Sequence, residues 1–166
     1  MTSKKVAIVG DGGVGKTTFV KKHLTGTFET KYVPTLGVNV HPYDGHGQYQ
    51  FKYNLWDTAG QEKFSGLDAG YYIGADAAIV MFDLTSNVSF RNVNTWISKI
   101  RSTAGEIPIV VCGNKSDLTG KVVDQSDIDE IVKKNKVKYF EVSIRTSHNH
   151  NKVFEHFDDM FGYVMV

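Results

Sequence analysis

Cysteine occurs once and proline three times in 166 residues, and no apolar run approaches the roughly 18 residues that a membrane-crossing helix needs. One thiol excludes an intramolecular disulfide framework. Cys112 lies inside the apolar run Ile107–Gly113, where it reads as a small buried hydrophobe. An excess of either charge is also missing: 19 basic side chains face 18 acidic ones. Apart from Lys133, Lys134, Lys136 and Lys138, the lysines are interspersed with acids, so there is no basic stripe of the kind that tracks a nucleic-acid backbone, and no direct nucleic-acid ligand is expected. No apolar leader opens the chain, and its end, Tyr163-Val164-Met165-Val166, carries no cysteine for prenylation. The expectation is a protein of nucleus and cytoplasm without a membrane anchor. What remains is the composition of a globular protein, 41% hydrophobic and 22% charged, of a length that suits one domain covering residues 1–166.

Short runs rich in Val and Ile alternate with longer segments of helical spacing, the pattern of repeated βαβ units around a mostly parallel sheet. Strands are predicted at Val6–Gly10, Ala77–Asp83, Ile107–Gly113 and Tyr139–Ser143, and a hairpin from Val38–Tyr43 and Gln48–Trp56 around the turn Asp44–Gly47. Helices are predicted at Lys16–Thr25, Ser89–Thr103, Ser126–Asn135 and Lys152–Gly162, with Ser126 as the N-cap of the third. In a doubly wound α/β sheet the ligand lies beyond the carboxyl ends of the strands, so the residues just after these runs are the first candidates for function.

The first of them is Gly10-Asp11-Gly12-Gly13-Val14-Gly15-Lys16-Thr17, which fits the pattern G-x-x-x-x-G-K-S/T directly after a strand and at the opening of a helix. Glycines let successive backbone N–H groups approach phosphate oxygens, and the helix N-terminus adds positive potential. Residues Asp11 to Thr18, including Gly12, Gly13, Val14, Gly15 and Thr18, are thus the expected cradle. Lys16 is expected to reach the β- and γ-phosphates, and Thr17 to give its hydroxyl to Mg²⁺. After the strand ending at Trp56, Asp57 is a second expected Mg²⁺ contact, Gly60 a donor to the γ-phosphate, and Gln61 the side chain that orients an attacking water. A glycine-rich turn without a ligand has similar composition, but not the flanking strand and helix together with the later motifs.

A phosphate loop does not distinguish adenine from guanine. Asn114-Lys115-Ser116-Asp117, directly after an apolar run, does. A carboxylate accepts from two neighbouring donors on the guanine edge, and adenine offers no such pair. Asp117 is the expected specificity residue, Asn114 ties the loops together, and the stem of Lys115 covers one base face opposite Phe28. Ser143, Ile144 and Arg145, after the last strand, are expected to supply a backbone N–H to the base. His148, His150 and His156 straddle a loop and a helix start without a ligand spacing and are not taken for a metal site.

From Lys5 to about Phe161 these motifs resemble the Ras superfamily of small GTPases, and within it the Ran-type branch of nuclear transport. The likeness is carried by the run from Gly10 to Pro42, by Trp56–Phe64 and by Gly70–Ile73. It implies a P-loop NTPase G domain: a doubly wound, mostly parallel six-stranded sheet with one antiparallel edge strand and helices on both faces. It further implies bound GTP or GDP with Mg²⁺, Phe28 stacked on guanine, Thr35 on Mg²⁺ and the γ-phosphate, and Tyr32, Gln61 and Lys16 in a slow hydrolytic site that an activator accelerates. Loops about Thr27–Gly37 and Ala59–Ala75 would switch with the nucleotide. The implied partners are importin- and exportin-type receptors for the GTP form, an exchange factor, a GTPase-activating protein, and a carrier of the GDP form at Lys63 and Phe64; the oligomeric state is left open by the sequence, with monomer the default expectation.

The chain departs from that branch in four places. Ile144 and Arg145 replace a smaller Ala-Lys pair, which crowds the base site. Asp68 replaces an arginine. The basic patch is thinned to Lys133–Lys138, and the acidic tail of that branch is not within these 166 residues, whether cut short or naturally without it. Two alternatives stand beside the transport reading: a Rab-type vesicle-traffic GTPase, disfavoured by the missing C-terminal cysteine, and a nucleotide-held interaction module with little hydrolysis, disfavoured by Gln61. An ATP-using enzyme is disfavoured by Asp117.

Overall fold

The computed structural model of the chain describes residues 3–23, 31–33, 38–45, 51–58 and 69–165, with side chains left aside at 23, 31–33, 69 and 163–165. Strand β1 (Ser3–Gly10) runs parallel between β4 (Lys52–Asp57) and β5 (Ala77–Asp83). Beyond β5, β6 (Ile109–Asn114) and β7 (Lys138–Glu141) continue the parallel sheet. On the other side β3 (Val38–Asp44) pairs antiparallel with β4, giving the six-stranded mixed sheet that the sequence predicts. Outside β3 lies one short addition, the three-residue β2 (Lys31–Val33), so the full order is β2-β3-β4-β1-β5-β6-β7.

The central strands are apolar without alternation because both sheet faces are covered. All seven residues of β5 are buried, as are the last five of β1. Period-two geometry sends Ala7, Val9, Ala78, Val80 and Val111 to one face and Val6, Ile8, Ile79, Met81 and Cys112 to the other. The first face is covered by α2 (Asn87–Arg91), α3 (Val93–Ala104) and α4 (Gln125–Asn135). In α3, Val93, Trp96, Ile97 and Ile100 supply the buried stripe, at the spacing of an amphipathic helix. The second face is covered by α1 (Lys16–His23) and α5 (Lys152–Met165) through Phe19, Val20, Val153, Phe154 and Phe157.

Several predicted boundaries move for local reasons. The helix expected from Ser89 begins at Asn87, because Ser86 is its N-cap and accepts from the Ser89 backbone N–H at 3.3 Å. It is also two helices, interrupted at Asn92. The N-cap of α4 is Asp124, in extended conformation at ψ 140°, and Ser126 falls inside the first turn. Strand β6 starts at Ile109, not Ile107, since Pro108 has no N–H to give the ladder. At the hairpin, the Gly45 backbone N–H donates to Phe51 O at 2.9 Å, while residues 46–50 of the predicted turn and strand lie outside the described set.

Candidate functional site

Because β1, β4, β5, β6 and β7 run the same way, Gly10, Asp57, Asp83, Asn114 and Ser143 all arrive at one rim. The loop from Gly10 to Gly15 turns there in a backbone that only glycine adopts freely. Gly10 has φ +148°, and a Cβ on it would collide with the Met81 carbonyl. Gly15 has φ +107°, and a Cβ on it would meet the Asn114 amide. The Lys16 side chain is buried and curls back over the loop, its Nζ donating to Gly10 O at 2.6 Å and Asp11 O at 2.7 Å. A buried cation above a concave run of backbone at a helix start is an arrangement suited to polyphosphate.

Thr17 Oγ1 donates to Asp57 Oδ2 at 2.7 Å. Asp57 is buried, and the next residue, Thr58, fixes the end of β4 by donating its hydroxyl to Ile8 O at 2.7 Å. A hydroxyl and a carboxylate oxygen held together beside a phosphate cradle are the hard donors that Mg²⁺ takes, and they fit that ion. His41 on β3 is buried nearby. Burial pushes its pKa down, opposed by the Asp57 carboxylate and reinforced by Lys21.

The third part of the site lies after β6. Asn114 Nδ2 donates to Val14 O at 2.9 Å, and Lys115 Nζ to Gly13 O at 3.1 Å, so this loop is bonded to the phosphate loop. Lys115 adopts φ 66°, a left-handed conformation that costs a lysine strain and that clusters at functional loops. Its Nζ also pairs with Asp83 Oδ2 at 2.8 Å. Asp83 accepts from the Thr85 backbone at 2.8 Å and its hydroxyl at 2.6 Å. Burial raises the Asp83 pKa, but Lys115 and Thr85 together outweigh it and hold the carboxyl below its usual range. Ser143 is fully buried, and its Oγ donates to Asp117 Oδ1 at 2.7 Å.

Between these loops is a pocket of about 270 Å³ lined by Gly15, Thr18, Asn114, Lys115, Asp117, Leu118, Ile144 and Arg145. Asn114 Oδ1 is buried without a hydrogen-bond partner among the described residues. Ile144 is part of the pocket lining, its Cδ1 3.5 Å from where a Cβ on Gly15 would stand.

The structure therefore gathers Asp11 to Thr18, Asp57, Asn114, Lys115, Asp117 and Ser143 to Arg145 at one rim. Phe28, Thr35, Gly60 and Gln61, with Lys63, Phe64 and Asp68, lie outside the described residues, and Tyr32 is described only as backbone in β2. The three histidines are otherwise engaged: His148 and His150 contact Asn149 and the Ser147 carbonyl, and His156 packs on Phe140 and Phe157. Asp83 belongs to no sequence motif, and only its place at the end of β5, the position shared by the other rim residues, marks it for the site.

A model of the Ras family matches residues 5–160, which is most of the chain and contains every motif of the rim. The match, the parallel sheet with its single antiparallel flank and the joined phosphate and base loops agree: this chain belongs to the Ras family of small GTPases.

Proposed function

We propose that the chain is a Ran-type GTPase, a switch that binds GTP or GDP with Mg²⁺, hydrolyses GTP slowly and directs nucleocytoplasmic transport. The observation that carries the nucleotide reading is the bonding of the base loop to the phosphate loop, Asn114 to Val14 and Lys115 to Gly13, which sets the two recognition elements at one fixed spacing. The cradle from Asp11 to Thr18 holds the phosphates, with Lys16 on the terminal ones. Asp117, steadied by Ser143, reads the guanine edge, and Lys115 covers one base face opposite Phe28. Thr17 and Asp57, joined by Thr35, hold Mg²⁺, which screens the phosphate charge. Gly60 supports the terminal phosphate, and Gln61 aligns water for in-line attack beside Tyr32.

The transport assignment draws its support from the long runs shared with the Ran-type branch, Gly10 to Pro42 and Trp56 to Phe64. It entails importin- and exportin-type receptors that select the GTP form, an exchange factor, an activating protein and residence in nucleus and cytoplasm. The test is to load the protein with GDP or a non-hydrolysable GTP analogue and measure each form against an importin-β-type receptor. Selective capture of the GTP form supports the transport role, and equal or absent capture with nucleotide confirmed in the site overturns it. Phosphate release should be slow alone and rise by about 10³-fold or more with an activating protein. Fast unaided release would remove the comparison.

A further inference from the structure

The phosphate loop carries a carboxylate, Asp11, whose charge is of the wrong sign for a phosphate cradle. Its backbone faces the site, since the Asp11 carbonyl accepts from Lys16 Nζ at 2.7 Å. Its side chain is held elsewhere. Asn92 Nδ2 donates to one carboxylate oxygen at 2.6 Å and Trp96 Nε1 to the other at 3.0 Å. Both donors belong to the start of α3, where Trp96 also packs its ring into the buried stripe of the helix. Asn92 occupies the N-cap position of α3, where an asparagine side chain ordinarily bonds the helix's own backbone, yet it makes no such bond. Its amide instead spans 81 residues of sequence to reach the loop. Trp96 is only 7% exposed, so its indole N–H needs a partner, and Asp11 is that partner. The positive end of the α3 dipole adds to the attraction.

We infer that Asn92 and Trp96 are positioning residues for the nucleotide's terminal phosphate: they hold the Asp11 carboxylate on α3 and out of the phosphate cradle. Released, that carboxylate would repel the γ-phosphate oxygens or pair with the ammonium of Lys16, and in either case the triphosphate suffers more than the diphosphate. The role rests on the nucleotide reading given above. It makes the start of α3 a lever on the GTP-to-GDP preference, reached from outside the two switch loops. The interruption between α2 and α3 also gains a reason, since it places the Asn92 side chain toward the loop.

The experiment measures Mg²⁺-dependent binding of GTP analogue and GDP to the wild-type protein, to Asn92→Ala with Trp96→Phe, and to the same pair carrying Asp11→Asn. Phe keeps the ring packing of Trp96 without its donor, and thermal unfolding checks that each variant is folded. The expected result is a GTP affinity that falls about tenfold more than the GDP affinity in the double variant, with most of that selective loss restored by Asp11→Asn. Equal loss of both nucleotides, no loss, or no restoration when the charge is removed overturns the inference and leaves the nucleotide reading intact. Wild-type protein that binds neither nucleotide overturns the nucleotide reading and this inference with it.

Discussion

Ser143 and Asp117, 26 residues apart and in different loops, are joined by a 2.7 Å hydrogen bond in which the buried serine hydroxyl donates to the carboxylate. Ser143 in turn accepts from the Thr146 backbone N–H at 3.2 Å, so the orientation of Asp117 is set by the turn after β7. An ionised carboxylate accepts at about four positions, so this bond leaves room for the two guanine donors. Ser143→Ala is therefore expected to weaken guanine-nucleotide binding by about tenfold while leaving the fold intact. Equilibrium binding of GDP and ADP tests it, and an unchanged affinity would separate Ser143 from base recognition. Asp117→Asn should go further and turn the preference toward xanthine nucleotides.

Thr17 and Asp57 give the second prediction. Their 2.7 Å contact links the start of α1 to the end of β4 and presents two hard oxygens beside the cradle. Thr17→Ala removes one donor and Asp57→Ala both the carboxylate and its bond. Each should lower nucleotide affinity in excess Mg²⁺ by at least about tenfold, with the difference from wild type shrinking when Mg²⁺ is chelated. Nucleotide release followed with and without chelator is the measurement. Loss of the same size in both conditions would place these residues outside metal binding.

Most of the sheet is legible in the sequence because β1, β5 and β6 are buried on both faces and read as unbroken apolar runs. The rim residues are legible for a different reason: glycine spacing and the Asn114–Asp117 tetrapeptide report backbone geometry and donor chemistry locally. What the sequence hides is set by tertiary partners. Asn92 looks like the interior of a predicted helix, and only the reach of its amide to Asp11 shows why α2 and α3 separate there. Asp83 looks like an ordinary strand end until Lys115 is folded over it. Ser126 lost the cap to Asp124 because the two candidates sit two residues apart and sequence pattern does not resolve that distance.

The histidines predict how stability responds to pH. Burial is the main cause that lowers the pKa of both His41 and His156, with Lys21 and Lys138 adding to it and Asp57 and Asp159 opposing. A histidine whose folded pKa lies below its unfolded value binds its proton more readily when unfolded. Its contribution is therefore intact above the unfolded pKa near 6.5 and is lost as pH falls from there toward the depressed folded value. Unfolding midpoints measured from pH 7.5 to about 5 should decline, and His41→Asn with His156→Asn should flatten that decline. An unaltered slope in the double variant would assign the acid sensitivity to other groups.

The final prediction concerns the pair Lys115 and Asp83. The lysine has a strained left-handed backbone, and its ammonium bridges Asp83 Oδ2 at 2.8 Å and the Gly13 carbonyl at 3.1 Å, so one side chain spans β5, the base loop and the phosphate loop. Asp83 is 8% exposed, and without the ammonium its charge keeps only the two hydrogen bonds from Thr85. Lys115→Met keeps much of the apolar stem but removes the ammonium, and it should destabilise the fold by about 2 kcal/mol while loosening nucleotide binding. Asp83→Asn removes the charge instead and should cost less alone. The two changes combined should then be less harmful than their separate losses added together, because Lys115→Met no longer strands a buried carboxylate. Denaturant unfolding of the wild type, both single variants and the pair gives the coupling directly. Additive losses would show that Lys115 serves the base loop without depending on Asp83.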